Sequence, residues 1–172
     1  AKINLPFFKE RTLEFFNIEK DIQVVPNFID KKKYSNSFTD CQRSLMADDD
    51  EKIITHISNF RKVKRIPDVV QVFYRIQKEM PAKLIMVGEG PQKEVAERLC
   101  DSLGISDKVI FLGNSNEIDR ILCFSDLFLL PSESESFGLA ALEAMINKVP
   151  VISSNAGGIP EVNLDGITGY LN

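Results

Sequence analysis

From Lys52 onward the chain alternates short β-branched, apolar runs with longer stretches whose apolar positions recur at helical spacing. That alternation is the mark of βαβ units and a parallel sheet. The runs predict strands over Ile53 to Ser58, Lys83 to Val87, Val109 to Leu112, Leu127 to Leu130 and Pro150 to Ser153, with Gly169 to Leu171 as a sixth. Between the first two, Ile66, Val69, Val70, Phe73 and Ile76 share one helical face. After the second, Pro91 stands where a first helical turn tolerates proline, ahead of Val95, Leu99 and Leu103. Gly104 and Pro81 mark helix ends. Residues 1–51 read differently, with a helix over Pro6 to Phe16 and a strand over Ile22 to Val25 that ends at Pro26. A polar connection follows over Ser35 to Glu51, with a short helix near Arg43 and an acidic run at Asp48 to Glu51. The expectation is an α/β fold, a Rossmann-like parallel sheet with helices on both faces, carried by residues 52–172 behind a lead-in of residues 1–51.

Composition narrows the partners. With 172 residues, 44% of them hydrophobic, the chain is long enough for one domain with a real core. A net charge of -4 leaves no electrostatic footprint for nucleic acid, and Lys31-Lys32-Lys33 is short enough to be a solvated turn. Cys41, Cys100 and Cys123 form no CxxC pair, which predicts free thiols in a reducing compartment. The single His56 leaves a zinc site short of ligands. The sequence shows no basic segment followed by a cleavable apolar stretch and no run of the roughly 18 uninterrupted apolar residues that a membrane span requires, so a soluble, cytoplasmic protein is expected. It opens at Ala1 without a methionine and stops in what reads as a strand, so it is expected to be part of a longer protein, truncated at both ends.

Open parallel sheets bind ligands at the carboxyl ends of their strands, and the unusual residues fall in those loops. After the first strand, Arg61, Lys62, Lys64 and Arg65 place four cations at the mouth of a helix. Cations there oppose the helix macrodipole, so a bound phosphate would relieve the conflict; a solvated basic loop is the alternative. After the second strand, Gly88-Glu89-Gly90-Pro91 is a glycine turn without the third glycine of the dinucleotide fingerprint, and alone it reads as a packing turn. No phosphate-cradling Gly-Lys-Ser/Thr loop is present, which argues against a nucleoside triphosphatase.

After the fourth strand, Glu135 and Glu143 flank the start of an apolar segment that predicts a helix over Phe137 to Asn147. A carboxylate amid apolar neighbours needs a cation, a backbone donor or a ligand hydroxyl. Ser136, Phe137, Gly138 and Leu139 would offer free N–H groups at the helix start. Eight helical residues rise about 12 Å, beyond the roughly 5 to 9.5 Å of paired glycosidase carboxylates. The pair therefore reads as a grip on one elongated ligand, against a structural alternative of a capping Glu135 and a salt-bridged Glu143. Gly157-Gly158 would let backbone approach a ligand or another strand closely. His56, inside the first strand, reads as a core or edge histidine.

These segments together resemble the donor-binding half of the retaining GT-B glycosyltransferases of family 4. The resemblance is carried by Val25-Pro26-Asn27-Phe28-Ile29-Asp30, Val87-Gly88-Glu89-Gly90-Pro91, Phe111-Leu112-Gly113, the Glu-x7-Glu element from Glu135 to Glu143, and Gly157-Gly158-Ile159-Pro160-Glu161 with Thr168-Gly169. They run in family order over nearly the whole chain. Within the family, His56 to Arg65 and Ser134 to Leu139 look most like the bacillithiol-biosynthesis branch, which implies UDP-N-acetylglucosamine as donor and L-malate as acceptor.

The resemblance implies that Arg61 and Lys64 neutralise the diphosphate, that Glu135 with Phe137, Gly138 and Leu139 holds the donor sugar, that Glu143 holds the ribose, and that Asn114 offers backbone groups to the base. One position departs from the family pattern: counting back from Lys64, Asn59 stands where an arginine is expected. The resemblance also implies a metal-independent transfer without a cofactor, and an acceptor site in an N-terminal domain of roughly 150 or more residues ahead of Ala1. Oligomerisation stays open. A non-catalytic nucleotide-binding or interaction domain, or half of a GT-B epimerase or phosphorylase, is the alternative, since fold alone does not set function.

Overall fold

The computed structural model describes residues 2–3, 6–16, 21–30 and 41–172. Six strands form the main sheet: β3 (Lys52–Ile57), β4 (Ala82–Val87), β5 (Val109–Gly113), β6 (Leu127–Leu130), β7 (Val151–Ser153) and β8 (Gly169–Leu171). Their order is β5-β4-β3-β6-β7-β8 and every neighbouring pair is parallel. The connections hold α2 (Ile66–Glu79), α3 (Lys93–Leu103), α4 (Ile118–Leu122) and α5 (Leu139–Ile146). Each predicted strand is present to within a residue or so at its ends.

Alternation along the strands divides the core between two faces. On one, Ile54, Leu84, Met86 and Leu129 pack with Ile66, Val69, Val70 and Phe73 of α2 and with Ala96 and Cys100 of α3. On the other, Ile53, Ile85 and Val87 pack with Ile121 and Phe124, while Phe128, Leu130 and Val151 meet Ala141 and Ala144 of α5. Strands covered on both faces are apolar at successive positions, which is why these runs lack a polar alternation.

The helix starts differ from expectation in two places. Pro91 lies in the turn before α3, whose N-cap is Gln92. The helix expected over Phe137 to Asn147 begins at Leu139, because Gly138 caps it in the left-handed region at φ 79° and Phe137 is buried ahead of it.

The cysteine expectation is corrected. Cys41 and Cys123 form a disulfide with a Cα–Cα distance of 6.1 Å, and Cys100 is a free, buried thiol. The partners are 82 residues apart in sequence, so no local spacing announces the bond. Burial raises the Cys100 thiol to a pKa of about 11.

Around the disulfide, the segment before β3 is tied to the sheet. Arg43 donates to the carbonyls of Phe124 and Glu51, both at 2.6 Å, and to the Asp126 carboxylate at 2.8 Å. Ala47 joins the core beside Ile53. Arg43 itself sits in a short 3-10 turn, Arg43–Leu45, near the expected helix. Ahead of it, α1 spans Pro6–Phe15, and β1 (Lys2–Ile3) pairs in parallel with β2 (Gln23–Val24). The expected strand over Ile22 to Val25 is thus reduced to two residues, while Lys31-Lys32-Lys33 and the start of the polar connection lie outside the described residues. Among the described residues no helix is long and apolar enough to cross a membrane.

Candidate functional site

The strand order sets the position of the site. From β3 the chain builds outward through β4 and β5, then returns to β6 on the other side of β3 and continues through β7 and β8. Loops leaving β3 and β6 therefore diverge, and the crevice between them at the strands' carboxyl ends is where such sheets bind ligands.

The first wall is the segment after β3. Its backbone is held by the glycine turn after β4: Phe60 N–H donates to the Glu89 carbonyl at 2.9 Å, and Gln92 N–H to the Phe60 carbonyl at 2.9 Å. Gly88 has φ 133°, and a Cβ there would run into the Ser58 carbonyl. The glycine turn is a packing device that fixes this wall, in keeping with its lack of the full fingerprint.

The second wall is the loop from Pro131 to Gly138. Glu133 N–H donates to the Val63 carbonyl at 2.8 Å, and the Lys64 ammonium pairs with the Glu135 carboxylate. Both side chains of that pair are mostly enclosed, at 15% and 13% exposure, so the two charges face one another with little water between. The other Glu135 oxygen accepts the Ser136 N–H at 3.2 Å, and the Glu135 carbonyl accepts the Gly158 N–H at 2.9 Å. Gly157, at φ 61°, lies so close that a Cβ would collide with that carbonyl. Hence the glycine pair serves close approach to the Glu135 backbone.

Between the walls lies a cavity of about 230 Å³ lined by Ile57, Ser58, Asn59, Lys64, Leu130, Glu135, Gly138, Leu139 and Ala140. Four residues singled out in the sequence, Lys64, Glu135, Gly138 and Leu139, therefore converge. Asn59, at the family arginine position, lines the cavity, whereas Arg61 is exposed and outside that lining. Phe137 is buried, and half-buried Glu143 follows Leu139 by about one turn of α5. Asn114 lines a separate cavity of about 360 Å³ with Leu112, Ser115, Glu117 and Met46. A larger cavity of about 480 Å³ beside α2, lined by Arg65, Arg75 and Ile152, takes Arg65 from the basic run and holds none of the other predicted residues.

Glu135 precedes the helix, so the 12 Å helical rise does not describe the separation of the two glutamates; what sets Glu135 apart from a free acid is its pairing with Lys64. The basic cluster is also partly neutralised within the chain, since Arg65 pairs with Asp68 as Lys64 does with Glu135. Among the described residues no group of His, Cys, Asp and Glu is arranged to hold a metal ion.

Sequence reasoning passed over Ser58 as a site residue, and its only signal was its place directly after a strand. Beneath it, His56 is fully buried, with Nδ1 2.8 Å from the Leu129 carbonyl and Nε2 2.8 Å from Ser58 Oγ. Burial lowers the His56 pKa from 6.5 to about 4; the Leu129 carbonyl and Glu135 pull it upward and Lys64 pushes it down. It is a core histidine, as expected, and neutral at pH 7.

Residues 37–172 match the family described as Glycosyl transferases group 1. The N-acetyl-alpha-D-glucosaminyl L-malate synthase of Bacillus anthracis is 49% identical over 161 residues, covering 93% of this chain and 42% of that protein. An uncharacterized glycosyltransferase of Methanocaldococcus jannaschii is 32% identical over 162 residues, covering 90% of this chain and 42% of that protein. Among solved structures, Anabaena HepE in complex with UDP and glucose aligns with a TM-score of 0.89 at 22% identity, over 99% of this chain and 48% of that one. The chain thus spans less than half the length of these relatives. With the six-stranded parallel sheet and its reversal at β3 and β6, these likenesses place the chain in the group 1 glycosyl transferase family, as one Rossmann-like half of a GT-B fold.

Proposed function

We propose that this chain is the donor-binding domain of a retaining glycosyltransferase that moves N-acetylglucosamine from UDP to L-malate. The observation that carries the reading is the enclosed Lys64–Glu135 pair, set with Asn59, Gly138 and Leu139 in the crevice where the strand order reverses. Cleaving a sugar–phosphate bond leaves negative charge on the diphosphate. A cation already held in place stabilises such charge as it develops, without reorganisation. Lys64 supplies that cation, and Arg61, two residues past Asn59, adds a second from the rim. Glu135, whose two oxygens are aimed by Lys64 and the Ser136 N–H, accepts hydroxyl hydrogens of the sugar. Phe137, Gly138 and Leu139 contribute backbone at the start of α5, Glu143 takes the ribose hydroxyls, and Asn114 offers backbone groups to the base.

In this reading the leaving phosphate assists the acceptor hydroxyl on the same face of the sugar, so this half needs no protein nucleophile. The acceptor is bound mainly by residues outside the chain. Support for the donor comes from the UDP-containing Anabaena structure, and for the sugar and acceptor from the name of the Bacillus anthracis relative. Calorimetry with UDP and UDP-N-acetylglucosamine tests it: wild type binds both, and Glu143→Ala loses at least tenfold in UDP affinity. Absence of binding to either nucleotide by wild type would favour a non-catalytic domain.

A further inference from the structure

The hydrogen bonds around His56 dictate what the neighbouring hydroxyl can recognise. A backbone carbonyl only accepts, so the 2.8 Å contact with the Leu129 oxygen requires a hydrogen on Nδ1. A neutral imidazole then has a bare Nε2, which can only accept, and its partner at 2.8 Å is Ser58 Oγ. The Ser58 hydroxyl must therefore donate its one hydrogen to His56. Its backbone N–H is also committed, to the Val87 carbonyl at 3.1 Å. Ser58 also lines the cavity shared with Lys64 and Glu135, so to a group that reaches it from there the hydroxyl offers lone pairs and no hydrogen.

We infer that Ser58 is a specificity-determining residue that accepts a hydrogen bond from the transferred sugar, with His56 as the positioning residue that fixes the hydroxyl's polarity. A phosphate oxygen has no hydrogen to give and meets repulsion at Ser58, whereas a sugar hydroxyl or an amide N–H finds an acceptor. The cavity is thereby polarised: Ser58 Oγ and the Glu135 carboxylate accept, and Lys64 attracts anions. Full burial within β3 keeps water from His56, so the arrangement stays set while the cavity fills. This inference rests on the nucleotide-sugar reading above.

Two measurements test it on the unmodified chain and one variant. Because His56 is the only histidine, ¹⁵N NMR of histidine-labelled protein reads its tautomer without assignment. The expected signature is a protonated Nδ1 and a bare Nε2 at pH 7, before and after UDP-N-acetylglucosamine is added. A protonated Nε2 or an imidazolium overturns the inference. In calorimetry, Ser58→Ala is expected to bind UDP within twofold of wild type and UDP-N-acetylglucosamine roughly fivefold to tenfold more weakly, the loss of about one hydrogen bond. Equal losses for both ligands, or none, overturn it while the nucleotide-sugar reading stands. Wild type that binds neither ligand refutes that reading and this inference together.

Discussion

Acidification from pH 7 to pH 5 is expected to remove about 2 kcal/mol of folding stability through His56 alone. The group's pKa is about 4 in the folded chain against 6.5 when unfolded, because the ring is fully buried. Between those values the unfolded chain takes up a proton that the folded chain refuses, so the unfolded state gains as pH falls. The contribution is close to zero above pH 7, grows with a limiting slope of about 1.4 kcal/mol per pH unit, and levels off below pH 4. Lys64 and Glu135 face the ring with opposite effects, so the burial penalty dominates. The assay is urea unfolding at half-unit steps from pH 7.5 to pH 5, a window in which ordinary carboxylates stay ionised in both states. His56→Gln removes the titrating group and keeps a side chain able to donate to the Leu129 carbonyl. Its stability should vary by less than about 0.5 kcal/mol over the same range, whatever its absolute value. Equal slopes for wild type and variant would refute the reasoning.

Other outcomes follow from the same contacts. Lys64→Met should weaken UDP binding at least tenfold, about the cost of a charged hydrogen bond, while Glu135→Gln should spare UDP and weaken the nucleotide sugar; titration calorimetry distinguishes the two, and unchanged UDP affinity in Lys64→Met contradicts the phosphate role. Gly157→Ala should cost more stability than Gly166→Ala: both leave a non-glycine residue at positive φ, about 1 to 2 kcal/mol, but only Gly157 lies against the Glu135 carbonyl. Equal thermal shifts would exclude that close approach. Reducing the Cys41–Cys123 bond, which spans 82 residues, should cost about 4 to 5 kcal/mol by loop entropy and lower Tm by roughly 10 °C or more, and an unchanged melt in reductant would contradict a bond that restrains the unfolded chain.

The sheet was legible because burial on both faces leaves a mark in one dimension: continuous apolar runs such as Leu84 to Val87, bounded by Gly88 and Pro81. Lys64, Glu135, Gly138 and Leu139 were legible because each lies in the connection that follows a strand, no further along than the first residue of α5, and a parallel sheet brings all such connections to one end. The helix starts at Leu139 rather than Phe137 because Gly138 adopts a left-handed conformation ahead of it while Phe137 turns into the core, neither of which local propensity records. The disulfide was missed for a related reason: Cys41 and Cys123 meet only because Arg43 and Ala47 dock their segment against β3 and α4.

What the sequence by itself determined is the βαβ alternation, the end of the sheet at which chemistry would sit, and the family that its loop residues resemble. Tertiary structure alone decided that Lys64 closes on Glu135, that Asn59 rather than Arg61 lines the cavity, and that His56 turns the Ser58 hydroxyl into an acceptor. The physical reason is that periodicity records which residues leave water, whereas an ion pair or a hydrogen's direction depends on which distant groups the packed strands bring within 3 Å of one another.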